Sequence, residues 1–346
     1  MSFNRRGTFL CLLALVLNAL VTNAQTKTQS GYHVINQYKL GGEGGWDYLT
    51  VDVKARRLYV SHATHVVVVD ADTGAVVGDI PDTPGVHGIA VVEEVGKGYV
   101  SNGRASTVTV FDLKTLKTLK QIPVGKNPDA IIYDDASRRV FTMNGASNDT
   151  TAIDVKTDAV AGTLALGGRP EFAVTDGQGH VFVNLEDKSA IAEFDSRRLA
   201  VEADWPIAPA EEPSGLAFDR KHRRLFSVGS NKMMAVVNAD TGKVVTTVPI
   251  GGGVDAAAFD PETGFVFSSN GDGTLTVVHE DSPDRYTVVE NVTTRRGART
   301  MTLDPKTHRV YLVTAEFGPP PAPTPERPRP RPSIVPGSFT LLVLGR

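Results

Sequence analysis

Three histidines near the start of the chain are suited by type to hold a metal ion. His62 and His65 flank a short loop in the segment SHATH, and His87 begins a later apolar segment. With Asp47 or Glu43 they would form a mixed nitrogen and oxygen ligand set that zinc or copper accepts. Because an H-x-x-H pair outside a helix fixes no geometry, two interpretations stay open: a divalent metal site built on His62, His65 and His87, or ordinary surface histidines.

A second set of candidate residues occupies one fixed place in the chain. Seven short apolar segments each have a small, polar or charged residue at their second position: Asp47, Gly88, Asp129, Glu171, Ser214, Asp255 and Arg299. If these positions meet, four carboxylates and one arginine form a broken acidic ring. Two carboxylates about 10 Å apart repel by roughly 1–2 kcal/mol at an effective dielectric near 20, and a bound cation or basic group would relieve that repulsion. Alternatively, these side chains cap strand ends by bonding local amides.

The elements that must position these residues are internal repeats. The seven apolar segments start at residues 46, 87, 128, 170, 213, 254 and 298, so the repeat is 41 to 44 residues long. All seven end in an acidic residue, as in WDYLTVD, PDAIIYD and PSGLAFD. Within each repeat, a polar turn leads to a second strand with an aromatic at a fixed position, and two further strands follow. Four short strands per repeat of about 40 residues are typical of a propeller blade.

We therefore predict an all-β fold, a seven-bladed β-propeller with four antiparallel strands per blade. The seventh repeat supplies three strands, the last being SFTLLVLG from Ser338 to Gly345, and then the sequence stops. The missing fourth strand is predicted to be YHVINQYKL, from Tyr32 to Leu40, which precedes the first repeat. Pairing these two segments would close the ring and remove exposed strand edges.

The first residues predict export. Arg5 and Arg6 precede an apolar run from Phe9 to Val21, and small or polar residues follow. This order is typical of a cleaved secretory signal, so we expect a signal peptide at residues 1–24, a propeller at residues 25–346, no transmembrane segment after cleavage, and a periplasmic or secreted location. The one cysteine, Cys11, lies inside the apolar run, so the mature chain would have no disulfide and no thiol nucleophile.

A proline-rich insertion interrupts the seventh repeat at residues 318–337. Nine prolines between Pro319 and Pro336 favour an extended polyproline II conformation, and Arg327, Arg329 and Arg331 alternate with them. Two interpretations stay open: a solvated loop, or a basic arm that folds over the acidic mouth or docks a partner.

The second repeat carries a family resemblance. Its segment from Gly98 to Pro128 contains YVSN, V-x-V-x-D and I-P-V-G-x-x-P, and it resembles the YVTN-type propeller repeat of bacterial periplasmic proteins of the YncE kind. The resemblance implies the propeller fold over residues 32–346, with ligands usually meeting the face where the first strands begin. It implies little about function, because the motif residues are strand core and turn.

Function is predicted from the mouth residues and from missing motifs. The sequence has no G-x-S-x-G, H-E-x-x-H or P-loop motif, and its net charge of −3 disfavours nucleic acid as a partner. We expect a non-catalytic module that binds a small molecule, a metal ion or an envelope protein through Asp47, Asp129, Glu171, Asp255 and Arg299, with no cofactor beyond a possible divalent metal. The alternative is a lactonase-like hydrolase that uses His62, His87, Asp47 and Glu171.

Overall fold

The computed structural model describes residues 1–2, 30–324, 330 and 332–346. The predicted signal peptide, apart from its first two residues, lies outside the described residues, as do Arg327, Arg329 and Arg331. Within the described ranges, no helix is long and apolar enough to cross a membrane. Two short 3₁₀ helices, Glu93–Val95 and Glu186–Lys188, accompany the strands.

Twenty-eight strands are found in the described part of the chain, in seven antiparallel sheets of four. The first strands of the seven blades, in order, are β2 (Trp46–Asp52), β6 (Val86–Val92), β10 (Pro128–Asp134), β14 (Pro170–Thr175), β18 (Pro213–Asp219), β22 (Val254–Asp260) and β26 (Met301–Asp304). The second strands are β3 (Arg57–His62), β7 (Lys97–Asn102), β11 (Arg139–Asn144), β15 (His180–Leu185), β19 (Arg224–Gly229), β23 (Phe265–Asn270) and β27 (Arg309–Thr314).

The outer half of each blade follows the same order. The third strands are β4 (His65–Asp70), β8 (Thr107–Asp112), β12 (Asp149–Asp154), β16 (Ala190–Asp195), β20 (Met233–Asn238), β24 (Thr274–Ser282) and β28 (Thr340–Gly345). The fourth strands are β5 (Val76–Ile80), β9 (Thr118–Pro123), β13 (Ala159–Ala165), β17 (Ala200–Pro206), β21 (Val244–Pro249), β25 (Arg285–Thr293) and, in blade 7, β1 (His33–Lys39). Neighbouring first strands contact one another around the whole ring, β26 with β2 included. The predicted seven-bladed β-propeller is confirmed.

The N-terminal strand closes the last blade, as the sequence predicts. β1 pairs antiparallel with β28, from His33 opposite Gly345 to Lys39 opposite Thr340. The ring of Tyr32, just before β1, packs edge-on against Phe267 of blade 6 with centroids 5.1 Å apart. The first and last segments of the propeller are therefore joined in one sheet, and that sheet also packs on its neighbour.

One first strand is shorter than the repeat predicts. The repeat places the start of the seventh first strand at Ala298, whereas β26 begins at Met301. Gly297 has φ +83°, and the Arg299 amide bonds the Gly297 carbonyl at 2.9 Å in a tight turn. The Arg299 carbonyl accepts a hydrogen bond from Ser269 of blade 6, so this stretch is tied to the neighbouring blade instead of the ladder.

The core lies between adjacent blades. The fixed aromatic of each second strand is fully buried: Tyr59, Tyr99, Phe141, Phe182, Phe226, Phe267 and Tyr311. These rings contact the next blade around the ring. Tyr59 of blade 1 lies 5.5 Å from Phe111 of blade 2, and the Tyr311 hydroxyl of blade 7 donates to the Ala71 carbonyl of blade 1 at 3.0 Å. No blade buries its aromatic alone, so each sheet depends on its neighbours for a core.

Buried aspartates at the far ends of the first strands also link blades. Asp304 of blade 7 accepts a hydrogen bond from the Arg56 guanidinium of blade 1 at 2.6 Å, and Asp176 of blade 4 accepts one from Arg223 of blade 5 at 3.1 Å. Burial alone would raise the pKa of Asp304, but hydrogen bonds from Thr307 and Arg56 hold this pKa below its usual value. Asp304 is therefore a charged, fully buried group whose partner lies in another blade.

Replacing Arg56 with alanine tests this link between blades. The Asp304 carboxylate would keep its local hydrogen bonds but lose its cation, and removing one partner of a buried pair costs about 3 kcal/mol. We expect a clear drop in the denaturant midpoint at an unchanged slope. The control is Arg198→Ala, which breaks an ion pair with Asp195 on the exposed surface and should leave the midpoint unchanged. Equal effects of the two substitutions would contradict the link.

Replacing residues 33–39 with a Gly/Ser linker of equal length tests the closure. The substitution removes the β1–β28 ladder, whose hydrogen bonds contribute about 1 kcal/mol each, and exposes the edge of β28. We expect Tm to fall by several degrees, and a synthetic peptide with the sequence of residues 32–40, added in trans, to restore part of the loss. An unchanged Tm would rule out a stabilising closure.

Candidate functional site

The second position of each repeat lies at the mouth of the central channel, near the start of the first strand. In blades 1 to 6 the ladder between the first and second strands is irregular at this position, for example between Trp46 and Leu49. An irregularity of this kind leaves a residue unpaired and turns it out of the sheet. In blades 1 and 2 a serine of the second strand accepts a hydrogen bond from the free backbone amide. Ser61 accepts from Asp47 at 2.9 Å, and Ser101 accepts from Gly88 at 2.8 Å.

The structure brings most of the predicted mouth residues together, in pairs of opposite charge. His87 Nδ1 lies 2.5 Å from Asp47 Oδ2 and 3.6 Å from Asp129 Oδ1. Across the mouth, Arg299 Nε donates to Asp255 Oδ2 at 2.5 Å, and its Nη2 lies 3.8 Å from Asp47 Oδ1. Burial opposes the charge on His87, but the bond to Asp47 and the nearby carboxylates raise its pKa to about 9. The mouth therefore supplies two cations of its own.

Two carboxyl groups of the mouth are less well compensated: Asp129 shares His87 with Asp47, and Glu171 has no ion pair among the described residues. Burial and the charge of Asp47 raise the pKa of Asp129 to about 7. Burial, the charge of Asp129 and a hydrogen bond with the Glu186 carboxyl raise the pKa of Glu171 to about 10. Glu186 itself is paired with Arg169 at 2.6 Å. The mouth thus contains, beside the two ion pairs, two carboxyl groups that hold their protons more tightly than ordinary acids.

An aromatic pair lies one position deeper along the first strands. The rings of Tyr48 and Phe172 are stacked with centroids 4.6 Å apart. They come from blades 1 and 4, on opposite sides of the ring, so the stack spans the channel. The side chain of Tyr48 also bonds Asp129, and burial raises the pKa of its hydroxyl well above the usual value. Both rings border a cavity of about 350 Å³ lined by small and apolar residues of the first strands, such as Ala130 and Ala257.

The three histidines predicted as metal ligands are not gathered at one point. His62 is buried and stacked on Phe339 at 4.2 Å, and burial lowers its pKa to about 4. His65 Nε2 lies 3.3 Å from His62 Nδ1, and its other ring nitrogen is 2.5 Å from Asp79. Within the part of the chain that the structure describes, the three-ligand group at the mouth consists of Asp47, His87 and Asp129, whose ligand atoms lie within 4.8 Å of one another.

Solved structures of other proteins share this ring of blades. The structure titled U3-55K superposes with a TM-score of 0.72 over 90% of this chain and 98% of its own, at 7% identity. The RRP9 WD40 repeats superpose with a TM-score of 0.73 over 91% of this chain and 97% of theirs, also at 7% identity. No family model matches the chain, and no curated protein matches it. At such identities the likeness shows the fold alone.

Three residues of the mouth were not predicted from the sequence: Tyr48, Phe172 and Glu186. Tyr48 and Phe172 directly follow predicted ring positions, but a strand alternates its faces, so a residue next to an inward carboxylate is not expected in the same channel. The irregularity at the second position breaks that alternation. Glu186 belongs to a loop between second and third strands, whose conformation the repeat does not specify.

The proline-rich insertion leaves from the same face as the mouth. At its base, Phe317 forms a bridge with Ile334, and the Gly318 amide donates to Ser333 at 2.8 Å. The Phe317 ring lies 6.1 Å from Trp46, the first residue of β2. The base of the insertion is therefore anchored beside blade 1. Whether its arginines reach the mouth stays a prediction, because they lie outside the described residues.

The raised pKa of Glu171 makes stability depend on pH. Between its usual value near 4.5 and about 10, the folded chain keeps a proton on Glu171 that the unfolded chain has released, so this carboxyl lowers stability as pH rises. Glu171→Gln, which mimics the protonated acid, is expected to raise Tm over the parent by a margin that widens from pH 5 to pH 9. Glu43→Gln, at an exposed site before β2, should show no such widening. A margin for Glu171→Gln that does not change with pH would contradict the assignment.

Proposed function

We propose that the chain is a non-catalytic binding module whose channel mouth accepts a positively charged group, such as a lysine side chain of a partner protein. The supporting observation is the imbalance at the mouth. Asp47 and Asp255 are paired with His87 and Arg299, whereas Asp129 shares His87 with Asp47, at 3.6 Å, and Glu171 has no ion pair within the described part of the chain. A visiting ammonium group would supply the charge that is missing.

The energetics favour a cation over an anion or a neutral group. A cation about 4 Å from a carboxylate gains about 4 kcal/mol at an effective dielectric near 20, and its arrival would lower the pKa of both acids until they ionise. The aromatic pair of Tyr48 and Phe172 lies directly below, and aromatic rings attract cations further. Carboxylates above aromatic rings are the combination that ammonium groups prefer.

The broader setting of this function is proposed from the sequence and the fold. The predicted signal peptide supports export to the periplasm or the outside of the cell, and the partner would then be an envelope protein or a small molecule found there. The similarity to WD40-repeat propellers supports a protein-interaction scaffold by analogy of fold alone. Membership of the YVTN-type family stays a prediction.

A metal-dependent hydrolase is the second candidate. Asp47, His87 and Asp129 present three ligand atoms within 4.8 Å, a nitrogen and oxygen set that a divalent metal accepts, and protonated Glu171 lies in the same mouth as a possible acid. This lactonase-like alternative predicts lactone turnover that a chelator abolishes and added metal restores. The binding module predicts no turnover under either condition.

Isothermal calorimetry with a short peptide that contains one central lysine tests the proposal. At pH 6.5, binding of the ammonium group should ionise Asp129 and Glu171 and release their protons to the buffer. The measured binding enthalpy should therefore vary linearly with the ionisation enthalpy of the buffer, with a slope that gives the number of protons released. The same peptide with acetyl-lysine should neither bind measurably nor release protons. The double variant Asp129→Asn/Glu171→Gln should bind the lysine peptide at least tenfold more weakly, a difference of about 1.4 kcal/mol.

The control variant is Ser214→Ala, at the equivalent position of blade 5. The Ser214 hydroxyl contacts the Val254 carbonyl at 3.4 Å and carries no charge, so the variant should bind like the parent. Equal binding of the lysine and acetyl-lysine peptides, or no binding of either, would overturn the proposal.

A further inference from the structure

The face opposite the mouth follows a rule at several blade junctions. A residue with positive φ just before the second strand turns back and contacts the buried aspartate of the preceding blade. Where that residue is cationic, the carboxylate is compensated: the pairs are Arg56 with Asp304, Arg223 with Asp176, and His308 with Asp260. The rule neutralises one buried charge at each of these three junctions.

At three junctions a glycine with positive φ stands in place of the cationic residue: Gly96 after buried Asp52, Gly179 after buried Asp134, and Gly264 after buried Asp219 at the junction between blades 5 and 6. Glycine has no side chain, so among the described residues the amides that donate to Asp219 are those of its own turn, Lys221 at 2.9 Å and His222 at 3.2 Å. The neighbouring Arg224 is engaged elsewhere, because its guanidinium bonds the Pro283 carbonyl at 2.8 Å.

The same junction adds a second carboxylate. The first residue of the second strand pairs with a residue near the end of the third strand, and the residue after that partner is Glu280 in blade 6. Blades 1 to 5 have an uncharged residue there: Ala71, Leu113, Val155, Ser196 and Ala239. The Glu280 side chain is only 4% exposed, and among the described residues neither carboxylate oxygen has a hydrogen-bond partner of good geometry. Burial and the charge of Asp219 raise the pKa of Glu280. A buried acid that faces a second carboxylate and lacks well-directed hydrogen bonds is costly.

The His222 side chain lies between the carboxylates of Asp219 and Glu280. His222 Nδ1 lies 2.7 Å from Asp219 Oδ2 and 2.9 Å from Glu280 Oε1, yet it makes no well-directed hydrogen bond to either. The three ligand atoms lie within 4.8 Å of one another. The His222 side chain is about one-third exposed, so water can reach the cluster from outside.

We propose that Asp219, His222 and Glu280 bind a divalent transition-metal ion, with Zn²⁺ as the best match, at the junction of blades 5 and 6. One imidazole nitrogen and two carboxylate oxygens form a zinc ligand set, and water would take the remaining position. The ion takes the place of the cation that other junctions obtain from arginine or histidine. It ties Glu280 of blade 6 to the turn of blade 5, and it is independent of the mouth on the opposite face.

The deciding variant is Glu280→Ala, which restores the residue type of blades 1 and 5. In metal-free buffer this variant is expected to have a higher Tm than the parent, because it removes a buried carboxyl that faces the like charge of Asp219. Calorimetric titration with ZnCl₂ should show that the variant has lost one equivalent of binding, and the Tm increase that zinc gives the parent should shrink accordingly. His222→Ala, at a part-exposed site, should lose the same equivalent by removing the nitrogen ligand.

Two control variants separate this site from the other ligand clusters. His87→Asn alters the mouth, and His180→Asn alters a part-exposed cluster with Glu193 and Glu202; both should keep the equivalent that Glu280→Ala loses. MgCl₂ in place of ZnCl₂ should give no comparable Tm increase. The proposal is overturned if the parent binds no zinc, or if Glu280→Ala and His222→Ala bind as much zinc as the parent. Neither result would affect the lysine-peptide test at the mouth.

Discussion

The fold depends on the burial of each blade against its neighbours. A single propeller blade cannot bury its apolar faces alone, and its fixed aromatic, such as Tyr59 or Tyr311, is buried in part by the next blade. Seven such sheets can all bury their apolar faces against neighbours only if the ring is complete. The pairing of β1 with β28 is therefore the contact on which all the interfaces depend, although it involves a single pair of strands.

Closure of the ring also determines how charge is arranged. At the mouth, converging first strands bring acids within a few ångströms, and the chain compensates two of them with His87 and Arg299. At the opposite face, buried aspartates take their cations from the following blade, as Asp304 does from Arg56. Both faces follow the same electrostatic requirement, and at each of the two proposed sites two carboxyl groups share a single histidine.

Much of this architecture could be predicted from the sequence because it repeats. The spacing of the apolar segments specified seven blades, and the missing strand of the last repeat specified the role of residues 32–40. The position of Asp47, Asp129 and Asp255 around one axis followed from the ring. Each of these predictions depends on the period alone, which side-chain detail cannot alter.

The predictions that rested on single residues were less accurate. His62 and His65 stand at the end of β3 and the start of β4, away from the axis, so they meet each other and not His87. The stack of Tyr48 on Phe172 joins blades 1 and 4, which no local spacing relates. The cluster of Asp219 and Glu280 likewise joins two blades, and only the strand register shows that Glu280 occupies a place that other blades give to small or apolar residues.

The irregularity at the start of each first strand has an evolutionary consequence. Since the second position of blades 1 to 6 lies outside the regular ladder, its side chain contributes little to the sheet. It can be exchanged at low structural cost except at Gly88, where a Cβ would lie 3.0 Å from the backbone nitrogen of Ile131. Aspartate, glycine, glutamate and serine all occupy it in this one chain. Because these positions surround one opening, substitutions at them can change which ligand the mouth recognises. Closely related chains are therefore free to diverge in what they recognise while the scaffold stays the same.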